Sequence, residues 1–361
     1  MTDQRDRRLA ALHARLADEQ LPALLVTHPS DIRYCSGFSG TAGVLVVQPG
    51  RAELFTDFRY RDQAEAEAGG VVEVTVVERD LWARVWKGLR ARPGTEVGFD
   101  AETVTVTQAR SFTEADLPWT FRPVAGFVRA LRERKDATEV AAIRAAATLV
   151  LEALTRTFAR VRAGQSEREV AVILESALRR LGSEWHPFPT MVASGPRSAL
   201  PHARTGDRVL TVGDLLLVDC GATVDGYCAD ITRTVVLGLA DARQRRAFSL
   251  VQEAQQAAGA GLRAGLTGDA GDALARRVIE AAGFGEAFGH ALGHGLGLEV
   301  HEAPRLGRGS QAVLPPGAVV TVEPGVYFAG WGGVRLEDDL HLAPEGPVWL
   351  STPADDLLTL G

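Results

Sequence analysis

Apolar residues recur along this chain with two different periods. Leu9, Leu12 and Leu16 fall three and four apart, the spacing of one helix face, and predict a helix over residues 6–18. Leu21-Pro-Ala-Leu-Leu-Val-Thr27 reads as a short buried strand. Val44-Leu-Val-Val47 and Ala52-Glu-Leu-Phe55 flank Pro49-Gly50-Arg51 and predict a hairpin. Val71–Val77 predicts another strand, Asp80–Leu89 a helix and Glu96–Phe99 a strand. This alternation predicts a small α/β domain over residues 1–127.

A different pattern follows in residues 128–361, where an α+β domain is expected. Val128–Lys135 is charged and reads as a connector. Its basic residues, like those of Arg5–Arg8, read as solvated. Asp136-Ala-Thr-Glu139 and Ser166-Glu-Arg-Glu169 have the form of capping boxes. Behind the first, Val140, Ile143, Ala147, Val150, Leu151, Leu154 and Phe158 share a helix face. Behind the second, Val170, Ile173, Leu174, Leu178 and Leu181 do so until Gly182. A helix at 241–263, then Thr267-Gly268-Asp269 and a helix ending at Gly283, repeat that pair. The strands repeat as well. Gly213-Asp-Leu-Leu-Leu-Val-Asp219 and Gly317-Ala-Val-Val-Thr-Val-Glu323 each end on a carboxylate six residues after a glycine. Each is followed by a glycine-containing turn and a returning strand with a second carboxylate, Asp230 or Glu337. Two helix-helix-hairpin halves predict pseudo-two-fold symmetry.

Composition narrows the function classes. The 361 residues carry a net charge of −7 and no basic stripe, which argues against nucleic-acid binding. Hydrophobic residues make up 46%, yet no run approaches the ~20 apolar residues of a membrane span. The N-terminus shows no signal-peptide pattern. Three scattered cysteines, Cys35, Cys220 and Cys228, argue against a disulfide framework and for a reducing compartment, the cytoplasm.

The repeated carboxylates carry the candidate chemistry. A hairpin turning at Asp225-Gly226 sets Asp219 roughly opposite Asp230. Two close carboxylates repel unless a cation lies between them. For this pair alone, a cation site and two unrelated residues are equally good readings. Glu323 and Glu337 change the balance, because four near-buried carboxylates would each need a separate partner, whereas one dinuclear metal cluster serves all four. Gly289–Pro304 holds His290, His294 and His301, and its glycines predict an irregular strand with close backbone approach at His294. Oxygen-rich ligation with a single imidazole suits two Mn²⁺ ions best, with Co²⁺, Zn²⁺ or Fe²⁺ as alternatives. Cys228 has the parity of Asp230 but reads as a small core residue. Tyr227, Tyr327 and Trp331 read as packing or pocket walls.

Asp219-Cys-Gly-x₄-Gly-Tyr-x₂-Asp230-Ile-Thr-Arg-Thr, Gly293-His-Gly-x-Gly-x₃-His-Glu, Val322-Glu-Pro-Gly-Val-Tyr327 and Gly333-Val-Arg-Leu-Glu337 resemble the motifs of the pita-bread metallopeptidases. Within these, the match is to the Xaa-Pro branch, aminopeptidase P and prolidase. It covers about residues 136–350. Asp31-Ile-Arg-Tyr-Cys-Ser-Gly-Phe38, in a form without asparagine, and Thr56-Asp-Phe-Arg-Tyr60 extend it into a creatinase-like N-terminal domain. The resemblance implies that Asp219 chelates one metal, that His294 and Glu323 hold the other, and that Asp230 and Glu337 bridge both. It implies that His202 lines the prolyl side, that His290 and His301 are outer and proton-transfer histidines, that Arg335 adjoins the metal shell and that Phe188 forms an apolar wall. The implied reaction is attack by a metal-bridging hydroxide on the carbonyl before proline, with Glu323 as proton acceptor. The implied substrates are peptides with proline second, and the implied assembly is a homodimer or higher oligomer.

Two features point to different substrates. Dipeptide selection needs a cation for the free carboxylate, and Arg305 is a candidate. Asp57, Arg59 and Tyr60 resemble a motif of short bacterial aminopeptidases P, and with the chain length they set the expectation at aminopeptidase P, prolidase being the alternative. A structural ion pair explains Asp57 and Arg59 equally well. Methionine aminopeptidases need no such N-terminal domain, and creatinase-like hydrolases lack the metal carboxylates. A non-catalytic peptide-binding protein on the same fold would have lost ligands, and none is lost.

Overall fold

The computed structural model describes residues 4–361. The chain folds as two compact units, Met1–Arg132 and Glu133–Gly361. The first runs α1 (Gln4–Asp18), β1 (Leu24–Val26), α2 (Pro29–Ser36), β2 (Val44–Gln48), β3 (Arg51–Asp57), α3 (Arg61–Ala68), β4 (Glu73–Val77), α4 (Leu81–Gly88), β5 (Glu96–Asp100), α5 (Val106–Glu114), β6 (Thr120–Val124) and α6 (Arg129–Arg132). Its strands form one sheet in the order β4-β3-β2-β1-β5-β6. Strand β2 is antiparallel to both β1 and β3, and the outer pairings are parallel. The predicted hairpin is present: Gln48 pairs with Arg51, and Gly50 supplies a left-handed residue (φ 71°) of the turn. Helix α3 escapes the apolar pattern because it buries only Ala64 and Ala68.

Of the basic residues expected in solvent, Arg7 and Arg134 are exposed, but several others are not. Arg5 donates to the carbonyls of Ser36 and Glu67, and Arg8 to that of Tyr34. These carbonyls lie in the last turns of α2 and α3, where helix acceptors lack intrahelical partners. Arg132 meets Asp31 at 2.6 Å with both side chains buried. Local charge density does not reveal such distant partners.

The second unit contains α7 (Ala137–Phe158), α8 (Glu167–Leu181), β7 (Met191–Ser194), β8 (Leu215–Val224), β9 (Tyr227–Leu237), α9 (Ala242–Gly261), α10 (Gly268–Ala281), β10 (Gly293–Gly295), β11 (Glu302–Leu306), β12 (Val319–Val322), β13 (Gly325–Phe328), β14 (Gly332–Arg335), β15 (Asp338–Ala343), β16 (Gly346–Trp349) and β17 (Thr359–Leu360). Both predicted capping boxes form. Asp136 accepts from the Thr138 and Glu139 amides, and Ser166 accepts from the Glu169 amide. The second half repeats the device with a box at Asp241 and Gln244 and a Thr267 cap. Two isolated antiparallel bridges, Ser166 to Val209 and Thr267 to Val313, mark equivalent points of the halves.

The strands form sheets β17-β9-β8-β7 and β11-β10-β12-β15-β16, with β13-β14 as a separate pair. Each helix pair covers one sheet. Val150 and Leu174 pack with Val218 and Ile231, and Val251 and Ile279 pack with Val320 and Leu340. Burying each such side chain contributes ~1.5–3 kcal/mol. Strand side chains alternate between faces. With Val218 and Ile231 turned to the helices, Asp219, Asp230 and Thr232 take the opposite face of their sheet.

Candidate metal centre

The first hairpin turns at Asp225 (φ 49°) and Gly226 (φ 78°), so Val224 pairs with Tyr227. That register sets Asp219 against Thr232 and Gly221 against Asp230. The expectation that Asp219 faces Asp230 is therefore corrected by two residues along the ladder. Asp219 also lies mid-strand rather than at a strand end, because β8 continues to Val224. The parity survives, and both carboxylates remain on one face. Gly221 leaves room for the apolar wall: a Cβ there would lie 2.6 Å from Pro187 and 2.8 Å from Phe188.

In the second half β12 stops at Val322, and Glu323 follows it. The β13–β14 register, Gly325 with Arg335, carried two residues further sets Glu323 level with Glu337. Strand β10 runs alongside, with Gly295 paired to Val320 and a bulge beside His294. The glycines around His294 admit backbone. A Cβ on Gly293 would lie 2.0 Å from the Thr321 carbonyl, and one on Gly295 2.2 Å from that of Ala303.

His294 Nδ1 lies 3.0 Å from the Gly295 carbonyl, which makes Nδ1 the protonated nitrogen. The lone pair on Nε2 then faces Asp230 Oδ2 and Glu323 Oε1, each at 3.8 Å. Burial pulls this imidazole down to about 4, so it is neutral near pH 7. Ligand atoms of Asp230, His294 and Glu337 all lie within 4.8 Å of one another. Burial first, and neighbouring carboxylates second, push Asp230 and Glu323 well above the usual carboxylate range and Glu337 up to about 8. Asp219 Oδ1 and Asp230 Oδ1 are buried without a hydrogen-bond partner. A neutral imidazole lone pair, orphaned carboxylate oxygens and mutual repulsion all fit bound divalent cations.

Outer contacts hold these groups. Thr232 donates to Glu337 Oε2 at 2.6 Å and accepts from Arg335 Nε. Arg335 also binds Asp219 Oδ2 at 2.6 Å, which leaves Oδ1 as the available oxygen of that carboxylate. Its other nitrogen donates to the Tyr327 hydroxyl, 2.9 Å from His290 Nε2. His290 Nδ1 lies 2.8 Å from the Ala291 carbonyl and must donate there. The chain of donors thus runs from Arg335 to Tyr327 to His290. Arg233, paired with Asp338, holds the Glu337 carbonyl at 2.8 Å.

One cleft of about 620 Å³ is lined by Phe188, His202, Asp219, Asp230, His290, His294, His301, Arg305, Glu323, Arg335 and Glu337. The His301 ring lies 4.3 Å from that of His294, and Arg305 is level with His294 in the β10–β11 register. Asp57, Arg59 and Tyr60 belong to the first unit. Asp57 caps its turn by accepting from the Arg59 amide and binds the Arg59 guanidinium at 2.9 and 2.7 Å, while Tyr60 meets Thr41. Cys228 is buried away from the cleft lining, and burial pushes its thiol up to about 12. The sequence reading missed Thr232, although its parity with Asp230 signals the shared face. Tyr327, read as packing or a wall, is a hydrogen-bonding member of the site.

Residues 141–344 match metallopeptidase family M24. The chain belongs to that family. The M24 region is preceded by a match to the creatinase/prolidase N-terminal domain over residues 8–134. The M24 chain is similar to a solved Xaa-Pro dipeptidase from Bacillus anthracis, with a TM-score of 0.94, 38% identity and coverage of 98% of this chain and 99% of that one. An X-Pro aminopeptidase structure from Thermotoga maritima gives a TM-score of 0.90 at 35% identity, covering 97% and 99%. An Xaa-Pro dipeptidase of Pyrococcus furiosus is 32% identical over 352 residues, 97% of this chain and 99% of its own. The fold is accordingly the pita-bread M24 arrangement expected from the motif resemblance, with the pseudo-two-fold halves expected from the repeat.

Proposed function

We propose that this M24 chain is a metal-dependent Xaa-Pro dipeptidase. The observation that carries the dipeptide choice is Arg305, exposed on the cleft and paired with no carboxylate among the described residues. It offers a cation to the free carboxylate of a C-terminal proline. The names of the Bacillus anthracis and Pyrococcus furiosus relatives support the same choice. The sequence expectation of aminopeptidase P rested on the chain length and on Asp57, Arg59 and Tyr60, which hydrogen-bond locally, Asp57 with Arg59 and Tyr60 with Thr41. Aminopeptidase P is kept as a second reading because the Thermotoga maritima structure bears that name.

Asp219, Asp230, His294, Glu323 and Glu337 would hold two divalent ions, Mn²⁺ by the oxygen-rich donor set. Such ions lower the pKa of water towards neutrality and polarise the scissile carbonyl. Glu323 accepts the proton released by the attacking water. His202 steadies the oxygen of the tetrahedral carbon, and His301 delivers a proton to the leaving prolyl nitrogen. That nitrogen has no N–H to recognise, so shape against Phe188 and the carboxylate clamp of Arg305 select proline. His290, engaged at both ring nitrogens, orients Tyr327 and Arg335. We place the enzyme in the cytoplasm as a homodimer or larger homo-oligomer. Its three cysteines are free and buried, and no helix among the described residues is long and apolar enough to cross a membrane.

The test is turnover of Xaa-Pro against Xaa-Pro-Xaa by the Mn²⁺-loaded protein. Dipeptides should be cleaved and tripeptides largely spared. Equal or faster cleavage of tripeptides would establish the aminopeptidase reading instead.

A further inference from the structure

The segment bearing His290, His294 and His301 contains Gly289, Gly293, Gly295 and Gly297. Glycines cost the most backbone entropy to order, so something must fix His301 at its far end. The adjacent Glu302 does so by three contacts. Its Oε1 accepts from the Glu299 amide at 3.1 Å, closing the loop on itself. Its carboxylate lies under the Gly297 backbone, where a Cβ would stand 2.9 Å from Oε2. Its Oε2 meets Lys135 Nζ at 3.1 Å.

Lys135 was expected in solvent as part of a charged connector. Its side chain is instead 1% exposed and that of Glu302 6%. The backbone of Lys135 is fixed on both sides: its amide donates to the Gly317 carbonyl at 2.9 Å, and the next residue is the Asp136 cap of α7. A buried ion pair seldom adds net stability over an apolar pair, because both charges lose their water. It does impose one geometry. Here that geometry joins the start of α7 to the residue after His301, whose ring is 4.3 Å from the His294 ring.

We propose that Lys135 is a positioning residue which, through Glu302, sets His301 over the cleft. The inference rests on the reading of His301 as the group that serves the prolyl nitrogen. Lys135→Met is expected to lower kcat about 10–100-fold, the cost of losing an outer partner or of a small misplacement. KM should change less than about threefold, since substrate contacts are intact. In a Glu302→Leu background, Lys135→Met should cause no further loss, because the Lys135–Glu302 contact is already gone. A second readout needs no activity: histidine side-chain NMR of metal-free protein, with the His301 signal assigned by His301→Gln. Lys135→Met should move the His301 signal and leave those of His13 and His28 in place. An unmoved His301 signal, or equal loss of kcat in both backgrounds, overturns the proposal. Should Lys135→Met not fold, Glu302→Leu alone must move the same signal, and failure to do so has the same force. A moved signal in a protein without peptidase activity would count against the functional reading only. An unmoved signal in an active enzyme would count against the positioning role only.

Discussion

The two halves of the M24 unit make the same object from different parts. In the first, β7 pairs with β8 so that Met191 is level with Asp219 and Ala193 with Leu217. In the second, the Glu323 amide donates to the Leu292 carbonyl, and His294 is level with Thr321. Ala193 and His294 therefore hold equivalent places, a buried methyl in one half and an imidazole in the other. The hairpins differ as well. The first is a continuous ladder with Asp219 and Asp230 two residues out of register, and the second breaks at Pro324 and sets Glu323 level with Glu337. Duplication accounts for the four carboxylates, and a single side chain, His294, distinguishes the two halves of the proposed dinuclear site.

Breaking that difference has the largest expected effect. His294→Ala makes the second half like the first and removes the imidazole that the proposed function assigns to a metal. It should cost more than the ~100-fold typical of losing an outer partner, read as kcat/KM on an Xaa-Pro dipeptide at saturating Mn²⁺. Retention of activity within tenfold would show that the imidazole is dispensable.

A second test uses the crowded carboxylates. Burial raises the folded-state value of Glu337 from 4.5 to about 8. A raised carboxyl favours the metal-free fold fully below 4.5, and that contribution is lost as pH rises through about 8. The Tm of chelator-treated protein should fall across this window, and Mn²⁺ should raise Tm more at its upper end, where the ligands are deprotonated. Glu337→Gln should flatten the dependence. An apo Tm that rises through the window in wild type but not in the variant would reverse the sign and contradict the account.

Smaller effects belong to the outer contacts. Tyr327→Phe removes the hydroxyl between Arg335 and His290 and should lower kcat about tenfold with little change in bound metal. Leu174→Ala, under the first sheet, should cost ~2–5 kcal/mol of stability in denaturant titration. Its effect on kcat at low temperature should be minor.

Much of this was legible before the structure because it depends on local rules. Capping boxes at Asp136 and Ser166, the Asp225-Gly226 turn and alternation along the strands need only a few adjacent residues. Alternation sufficed to bring Asp219 and Asp230 to one face, although their register was read two residues off, since where a hairpin closes decides which residues oppose. What stayed hidden depends on distant partners. Arg132 and Lys135 look like solvated charge until Asp31 and Glu302 arrive beside them. Tyr327 looks like a wall until its hydroxyl meets Arg335 and His290. Asp57 and Arg59 show the converse, a motif-like pair whose polar atoms satisfy each other.

The most direct measurement is a count of Mn²⁺ bound at saturation by chelator-stripped protein, wild type beside His294→Ala. Two ions per chain are expected in the wild type by the donor set, and at least one should be lost or greatly weakened in the variant. A wild-type chain that binds no divalent ion, or a variant that binds as wild type does, would contradict the account of a dinuclear centre made asymmetric by His294.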